Sequence, residues 1–202
     1  MNKETLLSGL VGLVIGIILM WFFAPWWGGM MAYRNMMGIN NIMGSIDSHF
    51  IEQMIPHHDD AITMADLALE KSEHPEIKQL AQDIKRTQSE EIEKMKNLYK
   101  SWYGKDVPDS FLHLGHGMGS GTMHMGMMGD VTDMERLETT AVFDKAFIEE
   151  MIPHHQMAVM MAQMLQQSTI RPEMKQLAKD IIEGQTREIN SMRDWYRQWY
   201  GQ

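Results

Sequence analysis

The chain predicts an all-α fold: a four-helix bundle built from two repeated helical hairpins, preceded by an N-terminal transmembrane helix. Three observations carry this: a long internal repeat, an apolar period of helical length, and a charge-free leading segment. Residues 50–104 open FIEQMIPHH and residues 147–201 open FIEEMIPHH, and they align without a gap. Pro75 falls on Pro172, Met95 on Met192, and Tyr99, Trp102 and Tyr103 fall on Tyr196, Trp199 and Tyr200. Duplicated units of this kind complete one core by packing on each other.

Residues 5–24, TLLSGLVGLVIGIILMWFFA, carry no charge. At about 1.5 Å per residue they reach across a hydrocarbon core of roughly 30 Å. Trp21, Phe22, Trp26 and Trp27 stand where an interfacial aromatic belt would be. The alternative is a cleaved signal peptide, but the apolar run is longer than usual and the small Ala24 is followed by Pro25. Either way the remainder is expected to be exported, in the periplasm or another extracytoplasmic space, and secreted if cleaved.

Each repeat reads as two helices. Phe50, Met54, Ala61, Met64, Ala65 and Leu69 recur at helical spacing, with Pro56 marking a kink or a start. Pro75 reopens the pattern, and Ile77, Leu80, Ala81, Ile84, Ile92, Met95 and Tyr99 continue one stripe to Gly104. The second copy repeats this with its connector at residues 168–172. Such short connectors favour antiparallel neighbours. The expected organisation is an anchor or signal (1–29), a Met-rich tether (30–46), hairpin one (47–104), a loop and lead-in (105–143) and hairpin two (144–202).

Composition narrows the function. A net charge of −9 offers no basic face for nucleic acid. The absence of cysteine removes disulfides, thiolate metal sites and cysteine nucleophiles. What remains to explain is 23 methionines beside nine histidines. Thioether sulfur is a soft neutral donor suited to Cu(I) and Ag(I), and imidazole also accepts Cu(II).

On a helix, residues three and four apart are neighbours. Met54 thus stands one turn before His57 and His58, and Met64 follows. Met151 stands likewise before His154 and His155, with Met157, Met160, Met161 and Met164 beyond. Met160 and Met161 cannot both face a core. The glycine-rich stretch 105–129 cannot bury a core, and its His113, His116, Met118, Met123, His124, Met125, Met127 and Met128, with Met134 after it, read as a flexible multidentate metal trap. Histidine-containing sites are expected to lose affinity as pH falls through about 6.5, unlike sites of methionine alone. His74, beside Pro75, is expected at the solvated surface and is left out of the ligand set with His49.

The two copies of MIPHH followed by A-x-x-M-A, at residues 54–65 and 151–162, resemble the signature of a ferritin-like, Met- and His-rich bacterial family long catalogued as a domain of unknown function. The resemblance implies a four-helix bundle that binds Cu(I) and Ag(I) through Met and His, with a role in copper resistance. Its motif positions here are Met54, His57, His58 and Met64, then Met151, His154, His155 and Met161. On that resemblance a single copy of the motif is expected, and this chain carries it twice. The first copy has Asp59, Asp60 and Thr63 where the second has Gln156, Met157 and Met160.

The expected function is therefore non-catalytic sequestration of Cu(I), with Ag(I) and Cu(II) as further ions. The expected partners are metal ions, the membrane and copper export machinery. A di-iron carboxylate enzyme would need Glu-x-x-His pairs, and none occurs. A blue-copper centre would need a cysteine. The rivals that stay open are a membrane-tethered interaction module using its methionine surface and, after it, a ferritin-like di-iron enzyme.

Overall fold

The computed structural model describes residues 39–108 and 134–201, with side chains from residue 46. The described residues are helical without a strand. We number the helices α1 (Ile39–Lys71), α2 (Pro75–Tyr103), α3 (Met134–Thr139), α4 (Phe143–Ser168) and α5 (Pro172–Tyr200). The chain divides into Met1–Gly44, whose described part is the opening of α1, and Ser45–Gln202, which holds everything that follows. Among the described residues no helix is long and apolar enough to cross a membrane, and the expected span at residues 5–24 lies outside them.

Proline sets the hairpins. Pro75 and Pro172 occupy the first turns of α2 and α5, where a missing N–H costs no helical bond. Gly104 ends α2 at φ 68°, and its N–H bonds the Lys100 carbonyl. Pro56 and Pro153 lie inside α1 and α4, so of the two readings of Pro56 the helix start is excluded. α1 begins at Ile39, within the stretch expected as a tether, and α3 stands within the expected lead-in.

Two apolar cores hold the hairpins together. In the first, residues 50–55 of α1 and 92–99 of α2 pack with 158–165 of α4 and 174–181 of α5. In the second, residues 61–68 and 77–84 pack with 143–151 and with Met192. The early half of α1 thus meets the late half of α4, and the late half of α1 meets the early half of α4. The two repeats are therefore stacked antiparallel. Equivalent bonds brace each hairpin: the Tyr99 hydroxyl donates to Glu52 at 2.7 Å, and that of Tyr196 to Glu149 at 2.8 Å.

Candidate metal centre

Between the cores every long helix turns polar at one level. α1 offers His57 and His58, α2 Gln88 and Glu91, α4 His154 and His155, and α5 Gln185 and Glu188. The adjacent His pairs are in the middle of the bundle. His58 and His155 are fully buried and His154 is 3% exposed. His57 is half-buried as a residue, but both its ring nitrogens are closed off from solvent. The His57 and His154 rings lie 3.8 Å apart across the repeat axis, with His58 and His155 flanking them at 6.5 and 6.1 Å.

Two carboxylates orient this layer. His58 Nε2 lies 2.7 Å from Glu91, and His155 Nε2 lies 2.7 Å from Glu188. A carboxylate only accepts, so each imidazole donates from Nε2 and turns Nδ1 away from the carboxylate. A histidine that gives one N–H to a carboxylate and leaves the other nitrogen free has the usual arrangement of a metal ligand. Neither Nδ1 has a hydrogen-bond partner, nor do both nitrogens of His57 and of His154. Each orphaned buried polar atom costs about 1–3 kcal/mol, so a layer retaining several of them is poor structural material.

Burial, then the charges of His58 and His155, pushes the His57 imidazolium down from 6.5 to about 3. Burial, then His57, holds His154 well below its ordinary value. Both rings are thus kept neutral, the form that binds metal. At these two rings alone this departs from the expected pH dependence. Proton competition at these two rings is displaced far below 6.5, because the bundle excludes the water that would solvate an imidazolium.

The methionines do not group as their spacing suggests. Met54 and Met161 are buried in the first core, and Met64 and Met151 in the second. Each side of the histidine layer therefore carries one motif methionine from each repeat, rather than the set of one repeat. Met157 packs half-buried against the first core, while Met160 and Met164 are 47% and 62% exposed. Met160 and Met161 part as expected, one outward and one inward. Met134 opens α3 and packs half-buried against the second core. His113, His116, Met118, Met123, His124, Met125, Met127 and Met128 lie outside the described residues.

Glu91 and Glu188 escaped the sequence reading because each stands 33 residues from its histidine. The repeat held a usable signal, since both occupy the same register in each copy. His74 is another correction: its ring stacks on Trp199 at 3.8 Å and bonds Asp144 at 2.5 Å, only partly open to solvent. Among the described residues no three His, Asp or Glu side chains form a ready-made metal centre.

Residues 47–196 match the family described as Domain of unknown function (DUF305), and the chain belongs to that family; the match runs through both copies of the motif, so carrying it twice is no departure from the family. Its resemblance extends to one protein in particular, CopM. The Cu(II)-bound form of CopM is 49% identical, with a TM-score of 0.66 over 76% of this chain and 97% of that one. Its Cu(I)-bound form is 46% identical, with a TM-score of 0.64 over 77% and 98%. A silver-bound form is 47% identical, with a TM-score of 0.64 over 77% and 98%. Over 49 residues the chain is also 49% identical to Uncharacterized protein L153 of Acanthamoeba polyphaga mimivirus. That match spans 24% of this chain and 32% of the viral protein.

Proposed function

We propose that this protein is an exported, non-catalytic binder that sequesters Cu(I), and also takes Ag(I) and Cu(II), in a ferritin-like bundle tethered by residues 5–24. Its role on this reading is copper resistance, and its further partner is copper export machinery. The observation that carries the reading is the histidine layer, in which the buried neutral rings of His57 and His154 stand beside His58 and His155, each bonded to a carboxylate, with a motif methionine of each repeat in the core on either side. The structures of CopM with Cu(I), Cu(II) and Ag bound support the choice of ion. The methionine- and histidine-rich stretch 105–129 supplies further soft donors.

The test is a Cu(I) competition titration of the full chain against bicinchoninate. The parent withdraws Cu(I) stoichiometrically, and replacing His57, His58, His154 and His155 by leucine lowers the number of ions held while helicity is retained. Iron uptake with a diferric absorption band would instead indicate an oxidase-type enzyme. Uptake of no metal would leave the interaction module. Fractionation with membranes, N-terminus intact, tests the anchor; a soluble mature protein starting near residue 30 rejects it.

A further inference from the structure

Resting on that reading, we propose that one face of α4, bearing Met157, Met160 and Met164, is the route by which Cu(I) reaches the buried histidine layer, and that only the second repeat has such a route. At 3.6 residues per turn, Met161, Met157, Met164 and Met160 fall about 20°, 60°, 80° and 120° to the same side of His154. Burial changes along this arc. In arc order His154 is 3% exposed, Met161 7% and Met157 half-buried, and the outer pair Met164 and Met160 are 62% and 47% exposed. Every step from Met164 through Met160 or Met161 and Met157 to His154 is three or four residues. Such neighbours on a helix have Cβ atoms about 5–6 Å apart.

Core packing accounts in part for Met157, which lies against the first core, and not for the exposed Met160 and Met164. In the first repeat the buried methionine is kept, Met64 for Met161, and both are core residues. The three positions on the outward arc are Asp60, Thr63 and Leu67 instead. A bundle helix at this register therefore does without thioethers there, and the first repeat offers a hard carboxylate, a hydroxyl and a hydrocarbon. At the inner end of the α4 arc stands an imidazole with both nitrogens buried and unpartnered. A soft ion moving along neutral sulfurs exchanges one thioether for the next with no proton released. The arc thus links solvent to a site whose ligands are themselves closed to solvent.

The experiment follows Cu(I) transfer from a bicinchoninate complex to the full chain, reading the histidine layer by the nitrogen resonances of 15N-histidine-labelled protein. The variant Met157→Leu/Met160→Leu/Met164→Leu keeps side-chain size on a largely exposed face, so the fold is expected to persist, checked by circular dichroism. Its histidine resonances should reach the same end point as the parent, at least tenfold more slowly. Asp60→Leu/Thr63→Leu should leave the rate unchanged, and Asp60→Met/Thr63→Met/Leu67→Met should raise it about twofold. Filling of the triple leucine variant at the parental rate overturns the route. An unchanged rate with a lower end point makes the methionines part of the terminal site and also overturns it. Histidine resonances that fail to respond to Cu(I) even in the parent reject the histidine layer as the site, a failure distinct from that of the route.

Discussion

His74 and Arg171 hold equivalent positions in the two repeats and fasten opposite ends of the bundle. His74 bonds Asp144 and stacks on Trp199, both in the second repeat. Arg171 pairs with Asp47 at 3.0 Å and lies over Trp102 at 3.9 Å, both in the first. Asp144 and Trp199 are themselves the repeat counterparts of Asp47 and Trp102. Each connector thus clamps the start of the other hairpin, once with a permanent cation and once with an imidazole.

The first prediction concerns this clamp. Burial alone would raise the Asp144 carboxyl, but hydrogen bonds from Ser72, from the His74 side chain and from the His74 and Glu73 N–H groups outweigh it and hold it below the usual range. A depressed folded value means that its stabilisation is complete above the unfolded value near 3.8 and is lost as pH falls through the folded value. Asp144→Ala should cost about 1–3 kcal/mol near neutrality, because two backbone donors lose their acceptor. The same variant should show less acid destabilisation than the parent below about pH 4. Urea unfolding across that range measures both effects, and parallel curves would reject the assignment.

The histidine layer sets a second pH dependence, in the metal-free protein. Unfolded histidine takes up a proton near 6.5, whereas His57 stays neutral to about 3. Between those values the unfolded chain binds more protons, so stability is complete above 6.5 and declines as pH falls toward about 3. The slope is at most about 1.4 kcal/mol per pH unit for each such ring. His57→Leu/His154→Leu should flatten it. Thermal midpoints between pH 7.5 and 5 that fall equally steeply in both proteins would contradict the neutral buried pair.

Glu91 and Glu188 should matter to metal affinity without touching metal. Glu91→Leu or Glu188→Leu removes the acceptor that fixes the tautomer of His58 or His155, and each should weaken Cu(I) binding about tenfold or more. Loss of helicity in parallel with affinity would reduce the carboxylates to structural bonds.

Gly184 lies inside α5, and a Cβ added there meets nothing within 4 Å. Its counterpart in α2 is Thr87. Gly184→Ala should raise stability by about 0.5–1 kcal/mol, since alanine lowers the entropy of the unfolded chain and favours the helix. A denaturation midpoint that falls would reveal a close approach at this position.

The hairpins could be read along the chain because their causes are local. Pro75 and Pro172 open helices wherever they stand after a break, and apolar residues three and four apart define a stripe without reference to any partner. The repeated His-His pairs were likewise legible, as was the parting of Met160 from Met161, though not which of the two turns outward, since adjacent helix positions face different ways whatever the packing. Pairing across the bundle was not. Met54 meets the core of Met161 rather than that of Met64, because two antiparallel repeats exchange their ends, and no spacing within one copy encodes that direction. Glu91 came to His58, and His74 to Asp144, from 33 and 70 residues away. Those contacts, and the neutrality of His57 and His154, arise only when packing removes water from groups that sequence distance keeps apart.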